Sequence, residues 1–205
     1  MNIFPLRASH WLLAASLLLT APALWSCNSQ TTLQKQVQEH QDQINRIDED
    51  TIQSYLRRHD LVNKSTRTNS GLYVVSQNDG NGPLATLGRS VRIKYVGRFL
   101  SNGAHPASTG YPASGGNGFF PAGAIFDNSA DNHSSCGCAV FTAGSGAVAG
   151  FNEGLLLMRK GDRKLLLLPS RLAYGAGGSR DPYTQQTVVP ADAALLFDVE
   201  VLDVL

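Results

Sequence analysis

The sequence predicts an α+β fold in which several antiparallel strands wrap over one short helix, with a further helical segment on the N-terminal side. Three patterns predict it. Ser90 to Val96 alternates, Val91, Ile93 and Tyr95 on one face and Arg92, Lys94 and Val96 on the other, which is the period of an antiparallel strand with one wet face. Leu195, Phe197, Val199 and Val201 repeat that period near the C-terminus. Between them Phe151, Leu155 and Met158 fall at i, i+4 and i+7, one face of a single short helix. Strands and a lone helix in this order belong to the α+β class.

The chain opens on a targeting segment. Arg7 and His10 form a weakly basic stretch, and Trp11 to Leu19 is apolar but too short to span a bilayer. Leu24-Trp25-Ser26-Cys27 resembles a bacterial lipobox, in which Cys27 takes lipid and becomes the mature N-terminus. Trp25 is unusual inside such a box, so ordinary cleavage near Ala23 is the alternative. Residues 1–26 are thus expected to be a lipoprotein signal peptide. The mature product is expected in the cell envelope, exported and held on the bilayer by the Cys27 lipid, facing the periplasm. Asn28 after Cys27, in place of the Asp that favours inner-membrane retention in some bacteria, favours the outer membrane. With 17 Lys and Arg against 16 Asp and Glu, nothing is basic or acidic enough to suggest nucleic acid as a partner.

Residues 27–70 read as a polar tether and helical segment. Asn28 to Gln43 is Gln-rich with few large apolar residues. From Asp42 to Val62 the residues Ile44, Ile47, Ile52, Tyr55, Leu56 and Leu61 recur at roughly helical spacing. Asp48-Glu49-Asp50 ahead of Arg57-Arg58-His59 suits the helix dipole if a helix starts near Asp48. Its apolar stripe must bury against the rest of the domain or against a second copy, which makes a dimer through this segment an open expectation. Asn63 to Ser70 reads as a linker. Residues 71–205 form the folded domain. Gly71 to Val75 is a short strand and Asp79 to Pro83 a turn. Ser101 to Gly123, dense in Gly, Pro, Ser and Ala, is expected to be a surface insertion contributing little core. Ala124 to Asp127 and Ala139 to Thr142 are short strands. Lys164 to Leu168 is an apolar run, and Gly175 to Thr187 is a second insertion.

The usual catalytic signatures are missing from the sequence: it has no phosphate loop, nucleophile elbow or paired zinc histidines on a helix. No cofactor and no metal are expected. If Cys27 carries lipid, Cys136 and Cys138 remain as a pair, and an exported compartment suits a disulfide between them. With His133 they offer only a weak metal motif, and free or regulatory thiols are the remaining reading. What is left is an aromatic and apolar set, Tyr95, Phe126, Val148, Phe151, Tyr174 and Phe197, which periodicity alone would assign to core packing.

Four stretches give that set a second meaning. Val91 to Gly97, Ile125-Phe126-Asp127-Asn128-Ser129, Val148 to Gly154, and Leu172-Ala173-Tyr174-Gly175 with Val189-Pro190 and Leu196 to Glu200 together resemble the FKBP-type peptidyl-prolyl cis-trans isomerases, from about Gly71 to Leu205. The resemblance implies a half-open, twisted antiparallel sheet curled round the helix, with an apolar pocket for a proline ring between them. It implies that Tyr95, Phe126, Phe151 and Phe197 are walls and floor and that the Val148 N–H holds a substrate carbonyl. Tyr174 would donate a hydrogen bond at the rim, Asp127 would be the charged pocket residue, and Ala173 and Val189 would touch substrate. Proline-containing polypeptides are the implied partners. The sequence departs from the family at Phe151, commonly Trp, and in a segment before the helix that reads one residue short. A further departure is Ala139 or Val140 where the family often has another aromatic wall. Both insertions are expected to border the pocket mouth. The alternatives are a non-catalytic module of the same fold that holds proline-containing or unfolded segments, and a thiol–disulfide site at Cys136 and Cys138.

Overall fold

A computed structural model describes residues 31–205, so the expected targeting segment and Cys27 lie outside the described residues. Helix α1 spans Thr32–Arg58, 27 residues. Thr31 caps it: its hydroxyl accepts from the Gln34 N–H while the Gln34 side chain accepts from the Thr31 N–H, which satisfies two otherwise orphaned donors. The helix therefore begins well before Asp48, and residues 32–43, read from the sequence as a partly helical tether, are helical throughout. The buried residues are His40, Ile44, Asp48, Ile52 and Leu56, spaced by four. The early part of this stripe was hidden in the sequence because two of its members are polar.

Nine strands follow: β1 Ser65–Arg67, β2 Tyr73–Asn78, β3 Ser90–Phe99, β4 Ile125–Asn128, β5 Ala139–Thr142, β6 Arg163–Leu168, β7 Ser179–Arg180, β8 Thr187–Val189 and β9 Leu195–Val204. Seven form one antiparallel sheet in the order β1-β2-β6-β9-β3-β4, with β5 also on β3. The expected linker at 63–70 in fact contains β1, which pairs Ser65 with Val75 and Arg67 with Tyr73. The long central pair is β3 and β9, running from Val91↔Val204 to Phe99↔Leu195. β4 and β5 share the other edge of β3, β5 against its start and β4 against its end.

The sheet is covered on both faces. On one, helix α2, Ala149–Leu156, lies over Val91, Ile93, Tyr95, Leu166, Leu168, Phe197, Val199 and Val201. Gly154 lets it approach β6: a β-carbon there would collide with the Leu166 side chain. On the other face Ile52 and Leu56 of α1 pack with Tyr73, Val75, Leu167, Ala194 and Leu196. This explains why β6 reads as an unbroken apolar run, since a strand buried on both faces does not alternate. The stripe of α1 is thus used against its own sheet. Polar contacts reinforce it. The Asp48 carboxylate accepts from both the N–H and the hydroxyl of Ser170, each at 2.7 Å, and Glu49 sits 3.4 Å from Arg67 of β1. Residues 31–205 form one compact unit, so the boundary expected at residue 70 falls inside it.

The Ser101–Gly123 insertion lies at the surface, with Gly103 its one buried residue, yet it is anchored. His105 bridges to Ser114 and Ser108 to Tyr111, giving it local pairing. Phe120 packs on Phe99 at 5.4 Å between ring centroids. Tyr111 stacks on His40 of α1 at 4.0 Å. Aromatic and histidine contacts, which its small-residue composition masked, fold it onto the core and α1.

Candidate active site

Between α2 and the inner face of β3 and β9 lies a cavity of about 160 Å³, lined by Tyr95, Asp127, Phe141, Gly146, Ala147, Val148, Phe151, Tyr174 and Phe197. Each lining side chain has a local cause. The alternation of β3 turns Tyr95 inward and that of β9 does the same for Phe197. Phe151 is on the sheet-facing side of α2 and is 2% exposed, so it forms the floor. Its ring is edge-on or tilted to three others: Tyr95 at 5.8 Å, Phe141 at 5.3 Å and Phe197 at 4.9 Å. These are the separations and angles that aromatic quadrupoles favour.

The polar features are few. The Tyr95 hydroxyl donates to Asp127 at 2.9 Å. Burial, and then the negative charge of Asp127, push the Tyr95 phenol well above its ordinary range, so it remains a donor at any physiological pH. Tyr174 is raised in the same way, by burial first and Asp127 second. It lies at the rim, 38% exposed. Ser129 holds this edge in place: its hydroxyl accepts from the Tyr95 N–H at 3.1 Å and donates to the Gly137 carbonyl at 2.9 Å. Val148 is the N-cap residue of α2 in extended conformation. Among the described residues its N–H has no hydrogen-bond partner, and it borders the cavity at the positive end of the helix dipole. The loop before α2 is fastened by Asn152, whose amide donates to the Ala147 carbonyl at 2.6 Å.

The structure thus brings Tyr95, Asp127, Val148, Phe151, Tyr174 and Phe197 to one cavity. Three expected members stand apart from its lining. Phe126 stands 5.5 Å from Phe197, perpendicular to it, and 5.0 Å from Phe99, so it packs against the Phe197 wall. Val189 is 1% exposed within the core and has almost no surface to offer a substrate. Ala173 packs against the same core. The missing aromatic wall is present after all: Phe141 supplies it, and not Ala139 or Val140. In β5 burial alternates, with residues 139 and 141 turned in and Val140 turned out, so the period-two rule applied one residue further would have found it. Gly97 was also missed as a supporting residue. A β-carbon there would stand 2.8 Å from Phe126 and 3.1 Å from Phe197, and a glycine inside a strand is the sequence signal of such a close approach.

Neither insertion lines the cavity. The one at 101–123 lies against α1. The one at 175–187 starts beside Tyr174 and folds into the small hairpin of β7 and β8. Cys136 and Cys138 are joined as a disulfide in the loop leading to β5. Ser134 braces that loop, its hydroxyl accepting from the Cys138 N–H at 2.9 Å.

Comparison with known proteins agrees with this geometry. Residues 82–202 match the model of the FKBP-type peptidyl-prolyl cis-trans isomerase family. An FK506-binding protein of Neisseria meningitidis is 30% identical over 135 residues, 65% of this chain and 96% of that protein. The FKBP-type peptidyl-prolyl cis-trans isomerase FkpA of Aeromonas hydrophila is 29% identical over 166 residues, 77% of this chain and 58% of that protein. The crystal structure of FkpA from Escherichia coli superposes with a TM-score of 0.54 at 23% identity, covering 84% of this chain and 65% of that one, which shows the shared fold. The chain therefore spans less than two thirds of the two FkpA proteins and nearly all of the Neisseria relative. On the family match and that relative, the chain belongs to the FKBP-type peptidyl-prolyl cis-trans isomerases.

Proposed function

We propose that this chain accelerates cis-trans rotation about Xaa-Pro bonds in exported polypeptides, using the aromatic cavity under Tyr95, Phe141, Phe151 and Phe197. The observation that carries the proposal is the pairing of a ring-sized cavity walled by aromatic side chains with an unpartnered backbone N–H at Val148. Rotation of a peptide bond passes through a twisted amide across a barrier of roughly 18–20 kcal/mol. Twisting breaks amide resonance and its charge separation. An apolar cavity therefore disfavours the planar, more polar ground state relative to the twisted one, and its walls hold the proline ring while the preceding carbonyl turns. The Val148 N–H holds a substrate carbonyl at the helix N-terminus. Tyr174 donates a second hydrogen bond at the rim, and Asp127 orients the Tyr95 hydroxyl that closes one wall. Such a reaction needs positioning and a dry surface.

Cys27 carries the lipid anchor in this reading, with the domain on the periplasmic side and the outer membrane as its site. Leu33 and Val37, one turn apart on α1 and exposed, offer an apolar strip through which two copies pair.

The test is the cis-to-trans rate of short Xaa-Pro peptides with the purified chain, beside Asp127→Ala and Phe126→Ala, each checked for folding by circular dichroism. We expect acceleration by the parent and a loss of at least about tenfold in the folded Asp127→Ala protein, the scale of one transition-state contact of roughly 1.4 kcal/mol. A folded parent without acceleration would leave a binding module of the same fold as the better account.

A further inference from the structure

Outside the cavity, three elements distant in sequence meet at a second cluster. His40 of α1, His105 of the 101–123 insertion and Asp192 of the turn before β9 place one potential ligand atom each within 4.8 Å of one another. All three are withdrawn from solvent, their side chains 5%, 9% and 6% exposed. The His40 Nε2 is 3.0 Å from Asp192 Oδ2, and the His105 Nε2 is 3.9 Å from the same oxygen. We propose that His40, His105 and Asp192 form a zinc-binding site that fastens α1 to the insertion and to the turn entering β9.

The ring nitrogens on the far side argue for a cation. His105 Nδ1 lies 3.0 Å from the Pro106 carbonyl oxygen. A carbonyl only accepts, so Nδ1 carries a proton and the Nε2 lone pair is the one available to a cation. That lone pair faces a buried carboxylate. Two electron-rich atoms so placed in a dry site are stabilised by a positive centre between them. His40 Nδ1 is 3.4 Å from the Ser108 hydroxyl, which can accept from it, while its Nε2 meets Asp192 Oδ2 at 3.0 Å, the contact that a bound ion would replace. A second nitrogen turned to a carbonyl or hydroxyl is the outer support that metal-bound histidines carry. Tyr111, stacked on His40 with ring planes 7° apart, fixes the plane of that imidazole.

Charge and geometry point the same way. Asp48, also buried and two turns further along α1, repels Asp192, so a divalent ion offsets two acidic groups. Two imidazoles and one carboxylate suit zinc, at bond lengths of about 2.0–2.1 Å with water in the fourth position. Tetrahedral bonds of that length set ligand atoms about 3.3–3.4 Å apart. The 3.0 Å and 3.9 Å separations bracket this figure, and rotation of the His105 side chain supplies the remaining adjustment.

The site is tested with the full chain, untagged, in a non-chelating detergent and stripped of metal. Zinc chloride alone is added in a calorimeter, and the melting temperature is followed in parallel. We expect one ion per chain and a raised melting temperature. His105→Gln and Asp192→Asn should each weaken binding by more than the roughly 10- to 100-fold that loss of an outer-shell partner costs. Asp192 has a positive φ of 56°, which Asn tolerates well, so that variant preserves the turn. X-ray absorption of the zinc-loaded parent should show nitrogen and oxygen neighbours near 2.0–2.1 Å. No binding by the folded parent, unchanged binding in both variants, or sulfur in the zinc shell would each overturn the proposal.

Discussion

Replacing Asp48 by asparagine should abolish one specific pH dependence of stability. The Asp48 carboxyl is buried beneath α1 with one oxygen bonded to Ser170 and the other without a partner. Burial raises its pKa from 3.8 to about 6, the Ser170 hydrogen bonds opposing that rise only in part. Because the folded value is the higher one, the native state keeps a proton that the unfolded chain releases between these two pH values. Stability contributed by the protonated group is fully present below the unfolded pKa and is lost as pH rises through about 6. A rise of some two units at 1.36 kcal/mol each amounts to about 3 kcal/mol by neutral pH. The amide of the Asp48→Asn variant has the shape of the protonated acid, accepts both Ser170 bonds through its oxygen and does not titrate. Urea unfolding of both proteins from pH 4 to 7.5, extrapolated linearly to water, should show the variant gaining about 3 kcal/mol on the parent across the range. Titrating groups that do not interact with Asp48 cancel in the difference. A difference that stays flat would refute a neutralised Asp48 and place its carboxylate in a solvated or ion-paired state.

Two further predictions concern the cavity. Phe151→Ala should destabilise the domain by about 3–5 kcal/mol, because a buried floor ring that contacts three other aromatic rings is deleted; urea unfolding measures this, and a cost below about 1 kcal/mol would mean that the ring is not packed as described. Gly97→Ala should cost about 1–3 kcal/mol through overpacking and lower isomerase activity by displacing the Phe197 wall, with the thermal melt and the peptide assay read on the same sample.

How much of this was legible in the sequence depends on which force set each element. Where one face of a strand is wet, as in β3, period two exposes the inward residues, and Tyr95 was placed from the sequence alone. The i, i+4 pair Phe151 and Leu155 marked α2 equally well, although Met158, read as the next member of that face, lies past the end of the helix at Leu156. The first three turns of α1 were obscured because its Gln-rich surface carries no apolar stripe and its buried positions include His40 and Asp48. Such polar burial is stabilised by distant partners, Ser170 for Asp48 and Asp192 for His40, and no local pattern encodes a partner more than a hundred residues away. The same limit hid the meeting of His40, His105 and Asp192. Phe141 was lost for a different reason: β5 is only four residues long, so its phase could be misread by one position. Phe126 was assigned to the pocket because the resemblance implies it there; in this chain its ring packs edge-on against Phe197.

The two faces of the sheet divide the work, and this fixes where the functional unit begins. The family match starts at residue 82, yet β2 ends at Asn78 and holds the interior position between β1 and β6. On β9, Phe197 faces the cavity while Leu196 faces α1; on β6, Leu166 and Leu168 support α2 while Leu167 lies under α1. Each of these strands therefore needs both helices. Without α1, the apolar patch of Tyr73, Val75, Leu167, Ala194 and Leu196 would lie bare, and contiguous exposed apolar surface invites association. The strands that carry the cavity wall would lose the packing that fixes their register. Helix α1 is thus part of the folded domain.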